Sequence, residues 1–158
     1  MPDTDTEPRE AETADLEAIH GSLARSRRGF LPDAGEDVVR QLDERRAARR
    51  RGAAVHIVGS RAEDGEVASR ADLYLDPASG VAQVEDLVTA ADRLGRGHAD
   101  AVLSTALRLA SDAGCRTRFL TADAAGRPRH WCGAPRLRGD RPHARLRPGL
   151  KALLGLLR

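Results

Sequence analysis

Between Ala53 and Ala122 the hydrophobic period of the chain switches from 2 to about 3.6 and back, and that switch constrains the fold more than any other feature. Ala53–Ser60 (AAVHIVGS) is short, β-branched and bounded by turns, and Glu63-Asp64-Gly65 leads as a hairpin turn into a second strand over Glu66–Asp76. Asp76-Pro77-Ala78-Ser79-Gly80 has turn composition, and Val81–Thr89 (VAQVEDLVT) follows as a third strand. Three strands joined by tight turns make an antiparallel meander. A glycine-rich turn then opens a helix over His98–Ala113, where Ala99, Val102, Leu103, Ala106, Leu107, Ala110 and Ala113 share one stripe and Gly114 ends the run. Cys115–Ala122 (CRTRFLTA) reads as another strand, so strand, helix and strand form a βαβ unit with parallel pairing. The predicted fold class is α/β (α+β): a mixed sheet in which an antiparallel meander precedes a βαβ unit, with irregular termini.

The flanks add less. A helix is predicted from Glu36 to about Gly52, with Val38, Val39, Leu42, Ala47 and Ala48 at helical spacing and Arg45 to Arg51 outward. Residues 1–35 contain Pro2, Pro8 and Pro32 and few large apolar groups, which predicts a flexible acidic arm holding at most a short helix near Ala14–Leu23. Beyond Asp123, Pro128, Pro135, Pro142 and Pro148 interrupt any long element, and Leu150–Leu154 suggest a terminal helical turn. The expected organisation is an arm (1–35), a core (36–132) and a basic, proline-rich tail (133–158). At 158 residues one domain is expected, and with aromatics at 3% its core must be aliphatic.

Composition narrows the function classes. No run approaches the roughly 18 apolar residues of a membrane span, and the opening Met1–Glu12 is acidic, unlike a secretory leader. Cys115 and Cys132 are too few for a disulfide framework or a thiolate zinc site. The expectation is a cytoplasmic protein without a metal. Only Lys151 among the 26 basic residues is lysine and asparagine is absent, a skew that fits GC-rich coding, so arginine abundance alone says little about anion binding. Met1–His20 carry seven acids against Arg9, whereas Arg127–Arg158 carry nine bases against Asp140, an asymmetry that would let the two ends attract each other. The basic end is the electrostatic footprint of a nucleic-acid binder but lacks aromatic stacking residues, which ranks that reading last.

Gly95 and Gly97, between a strand end and a helix start, let the backbone approach a ligand closely, and the first free N–H groups of the helix face whatever lies there. Phosphate is the natural guest. The turn fits neither a P-loop, for want of Gly-Lys-Ser/Thr, nor the third glycine of a dinucleotide fingerprint. His98 stands in the first helical turn, within reach of such a phosphate. His56 is read as packed or edge-facing on its strand, and His20 and His143 as solvent residues.

The meander, then Glu85-Asp86-Leu87-Val88-Thr89, then Leu94-Gly95-Arg96-Gly97-His98-Ala99, the amphipathic helix and Phe119-Leu120-Thr121-Ala122-Asp123 together resemble the GNAT superfamily of N-acetyltransferases over about Glu36–Trp131. The family's turn reads Arg/Gln-x-x-Gly-x-Gly/Ala. Gly97 and Ala99 match it and Leu94 does not, and Arg93 and Arg96 offer the missing charge. The resemblance implies acetyl-CoA as cosubstrate, with its pyrophosphate on the amides of Leu94, Gly95, Arg96, Gly97, His98 and Ala99. It implies that Leu87, Val88 and Thr89 present backbone to the acetyl and pantetheine arm. Glu85 then matches the carboxylate that acts as base for the incoming amine, since transfer needs the amine neutral. Arg127-Pro128-Arg129-His130-Trp131-Cys132 resembles a Trp-Pro-Arg-x-Trp-Tyr helix, with Cys132 where the family has the tyrosine that protonates the leaving thiolate. The Gly-Phe pair that opens the last strands is missing after Cys132, and the strand and two helices that open the family core are reduced in front of Glu36 to a fragment.

The resulting expectation is acetyl transfer from acetyl-CoA to a primary amine by direct attack. The competitor is a non-catalytic GNAT-like remnant that binds CoA or a partner. Edges left open by missing terminal strands favour pairing with a second copy, as a homodimer.

Overall fold

The alternating runs assemble into one six-stranded sheet in the order β1 (Glu12–Ala14), β2 (Ala54–Arg61), β3 (Val67–Asp76), β4 (Val81–Thr89), β5 (Thr117–Asp123) and β6 (Ala152–Leu157). The computed structural model describes residues 10–15, 17–30, 32–52, 54–123 and 152–157. Three helices accompany the sheet: α1 (His20–Phe30), α2 (Glu36–Gly52) and α3 (His98–Asp112). Neighbouring strands are antiparallel except β4 and β5, which run parallel because α3 carries the chain back between them. The mixed sheet, its meander and its βαβ unit are as the sequence predicts. No helix among the described residues is long and apolar enough to cross a membrane.

Each face of the sheet has its own core, because successive strand residues point to opposite sides. On one face Val58, Ala71, Leu73, Ala82 and Val84 meet Val102, Leu103, Ala106 and Ala110 of α3, with Cys115 and Leu120 completing the cluster. Ala106 and Ala110 lie on the apolar stripe and are small, which brings the helix axis close to the strands. Leu73, with no exposed surface, sits at the centre of this layer. Burying such a side chain contributes about 1.5–3 kcal/mol before chain entropy is counted. On the other face Ile19 and Leu23 of the first helical segment pack on Ile57 and Val67. Seven consecutive residues of β3, Val67–Leu73, are buried because helices cover both sides, and for that reason the strand lacks a clean alternation.

Two departures from the sequence expectation lie at the ends. The front holds more than a fragment: β1 pairs with β2, α1 runs over His20–Phe30 and not Ala14–Leu23, and Ile19 and Leu23 are fully buried. Few apolar residues are present there, but the two that matter land on the sheet. At the other end the expected helical turn at Leu150–Leu154 is replaced by β6, which pairs antiparallel with β5 from Arg118↔Leu157 to Asp123↔Ala152. Leucine and alanine favour helix locally, but the open edge of β5 supplies ladder partners that a lone helical turn lacks, so tertiary pairing overrides propensity. The terminal strand that the sequence leaves out is therefore present.

Candidate functional site

The site begins where β4 and β5 part. Their parallel ladder runs from Val81↔Thr117 to Val84↔Leu120 and stops, although β4 continues to Thr89 and β5 to Asp123. A bulge in β4 accompanies the parting. Asp72 faces Glu85 and Arg70 faces Val88, so two residues of β4, Asp86 and Leu87, lie opposite Ala71 alone. Asp86 takes a left-handed φ of 52°, the one non-glycine residue to do so among those described. Past the bulge, Leu87, Val88 and Thr89 keep β3 on one side and have no ladder partner from β5 on the other. Leu87 packs toward the α3 core, and the Thr89 hydroxyl shares a 2.9 Å hydrogen bond with that of Ser69.

A 3-10 turn over Ala91–Arg93 then leads to the glycine turn. Gly95 has φ 73° and Gly97, the N-cap of α3, has φ 81°, a left-handed conformation that costs glycine nothing. No side chain caps the helix at Gly97. A Cβ built on Gly95 meets nothing within 4 Å, so the ground before the turn is open. These features fit a diphosphate: left-handed glycines, an uncapped helix start and the positive end of the helix dipole. Leu94 is 51% exposed and Arg96 is exposed too, with no hydrogen bond or ion pair found for it among the described residues. Arg93 is engaged elsewhere, paired with Asp64 and with Asp92. His98 also departs from the sequence reading. Its ring is 2% exposed and turned inward, where Nδ1 shares a 2.9 Å hydrogen bond with the buried Ser60 hydroxyl of β2. Only the backbone of His98 is thus left to face an anion, while its imidazole pins the start of α3 to the sheet.

Opposite α3, the face covered by α1 and α2 carries a charge cluster. Glu85 stands cross-strand from Asp72, a like-charge pairing that would destabilise the ladder without cations nearby. Helix α2 supplies them. Arg46 Nη2 donates to Asp72 Oδ1, and Nη1 donates to Asp86 Oδ2 at 3.4 Å. One turn later Arg49 Nη1 lies 3.7 Å from Glu85 Oε2 and donates to the Tyr74 hydroxyl at 3.5 Å. Gln83 Nε2 donates to Glu85 Oε1. The inner pair is closed to water, with Asp72 and Arg46 side chains 3% and 13% exposed, whereas Glu85, Arg49 and Asp86 are 31%, 46% and 56% exposed. Burial pushes the Glu85 carboxyl above its ordinary range. Arg49 pulls it back, and Asp86 and Asp72 add to the rise. Burial likewise raises Asp72, against the pull of Arg46. Glu85 is therefore a half-buried carboxylate that holds its proton more tightly than an exposed glutamate does.

The residues singled out in the sequence gather along one path, from Glu85 through Leu87–Thr89, which lack a ladder partner on the β5 side, to the turn at Leu94–Ala99. Cys132 lies outside the described residues. Sequence reasoning missed Asp72, Tyr74, Arg46 and Arg49. The signal was the spacing of Arg70, Asp72 and Tyr74 at every second position of the strand, which places these polar groups on one face.

Known proteins bear on this arrangement at two levels. An acetyltransferase (GNAT) family model matches residues 16–130. No curated protein matches the chain by sequence. Among solved structures, a GNAT-family acetyltransferase from Staphylococcus aureus Mu50 superposes with a TM-score of 0.66 at 8% identity, over 94% of this chain and 99% of that one. An acetyltransferase from Trypanosoma brucei gives 0.59 at 18% identity over 88% and 99%. The PaiA N-acetyltransferase of Thermoplasma acidophilum, solved in complex with coenzyme A, gives 0.60 at 10% identity over 92% and 95%. At such identities the structures speak to the fold, and it is the family model, spanning most of the chain and the whole fork between β4 and β5, that establishes the chain as a member of the GNAT acetyltransferases.

Proposed function

We propose that the protein transfers an acetyl group from acetyl-CoA to a primary amine by direct attack of the amine on the thioester carbonyl. The observation that carries this reading is the end of the β4–β5 ladder at Val84↔Leu120, with an uncapped helix start at the foot of the opening. Backbone amides around Gly95, Arg96, Gly97, His98 and Ala99 hold the pyrophosphate, with Leu94 and Arg96 at its exposed rim. On the side where β5 is absent, the stretch Leu87–Thr89 offers N–H and C=O groups to the pantetheine arm as an added strand would. Glu85 takes one proton from the incoming ammonium, directly or through water; the nitrogen lone pair then forms the new C–N bond as the C–S bond breaks, and the second proton that the nitrogen sheds goes to the departing thiolate to give CoA thiol. Acetyl-CoA supplies the activated acyl group, and the chain supplies position and the base.

Calorimetric titration with acetyl-CoA, followed by thiol release in the presence of an amine panel, tests the reading. Binding at micromolar to millimolar concentrations and amine-dependent release of CoA are expected. Absence of heat at millimolar ligand refutes the assignment. Binding without turnover on any amine favours the non-catalytic remnant.

A further inference from the structure

The proposed reaction leaves the acceptor unnamed, and the charges beside Glu85 narrow it. We infer that the acceptor carries a carboxylate next to its amine, and that Arg49 reads that carboxylate while Glu85 receives the amine. The inference rests on the transferase reading and on Glu85 as its base.

The face of the sheet beneath α2 is balanced in charge. Asp72, Glu85 and Asp86 stand with Arg46, Arg49 and Arg70, and Arg70 lies close enough to lower the Asp72 pKa. Tyr74 is the other titratable group at this cluster, and Gln83 the neutral one. A net-neutral face does not select a simple cation. It is complementary to a molecule that brings both signs. Two of the three cations are held by buried groups or are themselves buried: Arg46 is bound to Asp72, and Arg70 is 3% exposed. Arg49 differs. Almost half of its side chain meets solvent, its contact with Glu85 at 3.7 Å is too long for a hydrogen bond, and its bond to Tyr74 at 3.5 Å is at the limit. A guanidinium has five donors in a planar fork that matches a carboxylate, and the hydrogen bond of Arg49 to Tyr74 uses one of them.

The separation of Arg49 from Glu85 is of the same order as that of an ammonium and a carboxylate on neighbouring carbons. A zwitterionic amine can therefore replace one loose ion pair with two, ammonium on Glu85 and carboxylate on Arg49. A plain amine meets a base already neutralised by Arg49 and a cation beside its own. Among amines the structure thus favours amino carboxylates of the α-amino acid type.

The test uses matched acceptors, L-phenylalanine and L-phenylalaninamide, in a thiol-release assay on the full chain, with benzylamine as a plain amine. The amide has the more acidic ammonium and so more free amine at neutral pH, which biases chemistry against the expected result. The wild type is expected to favour the amino acid by tenfold or more in kcat/KM, and Arg49→Gln to lose about tenfold of that ratio, with Arg49→Lys restoring part of it. Because the two ratios are taken within each variant, the intrinsic difference between the amines cancels. Should Arg49→Gln fail to fold, product inhibition of the wild type by N-acetyl-L-phenylalanine against its amide gives the same comparison, and stronger inhibition by the acid is expected. Equal use of both acceptors, turnover of benzylamine alone, or an unchanged ratio in Arg49→Gln overturns the inference while leaving the transferase reading standing. No turnover of any amine together with no acetyl-CoA binding overturns both.

Discussion

Arg46→Met isolates the electrostatics that hold α2 on the sheet. Asp72 is 2% exposed and its carboxylate accepts directly from Arg46, so removing the cation strands a buried anion. Breaking one side of a buried pair costs about 3–5 kcal/mol. The lower end applies here, because Arg46 keeps 13% of its side-chain surface and Arg70 still acts on Asp72. The contact with the half-exposed Asp86 adds at most about 1 kcal/mol. A loss of about 3 kcal/mol at pH 7 corresponds, for a chain of this size, to a fall in Tm of about 6–12 °C. The pH dependence follows from the direction of the shift. Burial already raises the folded-state pKa of Asp72 above its unfolded value, and loss of Arg46 raises it further. Acid therefore neutralises Asp72 in the folded state first, and stability tied to the neutral form is present at low pH and lost as pH rises through the folded pKa. The penalty for Arg46→Met should shrink by up to about 1.4 kcal/mol for each unit that pH falls from the variant's Asp72 pKa toward the lower wild-type one. Urea unfolding at pH 7 and 4.5 measures both numbers, and the double variant Arg46→Met, Asp72→Leu should recover most of the loss. A penalty under 1 kcal/mol, or one equal at the two pH values, refutes the reasoning.

Gly97→Val forces a β-branched residue into a φ of 81°, at a cost of about 1–2 kcal/mol, and crowds the proposed phosphate turn. Acetyl-CoA binding should disappear from calorimetry while far-ultraviolet circular dichroism is kept, and a dissociation constant within threefold of wild type would contradict the turn's role. Glu85→Gln should lower kcat/KM by about 10²–10⁴-fold. Because burial raises the Glu85 pKa and the base acts ionised, wild-type kcat/KM should climb with pH through a limb above the ordinary glutamate range, and that limb should be missing from the variant. A limb shared by both proteins would assign the base elsewhere. Leu73→Ala empties a site with no exposed surface between β3 and α3 and should cost about 2–5 kcal/mol in urea unfolding, a smaller loss meaning that α3 collapses onto the gap.

Much of the fold was readable because its middle obeys local rules. The turns at Gly65, Gly80 and Gly114 carry left-handed φ values at the places where glycine announces them, and the stripe Val102, Leu103, Ala106, Ala110 is buried as its spacing requires. What escaped reading is non-local. Ile19 and Leu23 are two apolar residues in a polar stretch, and only the sheet beneath them makes a core of the pair. In the same way β6 exists because β5 offers an edge, a fact that Ala152–Leu157 does not encode. At the site, the path from Glu85 to Ala99 was legible because it is one continuous segment. Arg46 and Arg49 were not, since their partners Asp72 and Glu85 lie 26 and 36 positions away and an arginine-rich helix reads as solvated. His98 was misplaced for a related reason: a histidine beside a phosphate-type turn invites a ligand role, and the buried hydroxyl of Ser60, far off in sequence, is what turns the ring inward.

The bulge at Asp86 makes the spacing between Glu85 and Gly97 a fixed quantity. Glu85 and Val88 are an odd number of positions apart yet their partners, Asp72 and Arg70, share one side of β3. Deleting a single residue there would rotate every following side chain by half a turn, swing Thr89 away from Ser69 and carry the glycines out of line with the strand ends. Insertions at the tips around Gly65 or Gly80 disturb no such count. The strand tips thus tolerate a change of length that the bulge does not, and a chain one residue shorter at Asp86 would have a different mouth.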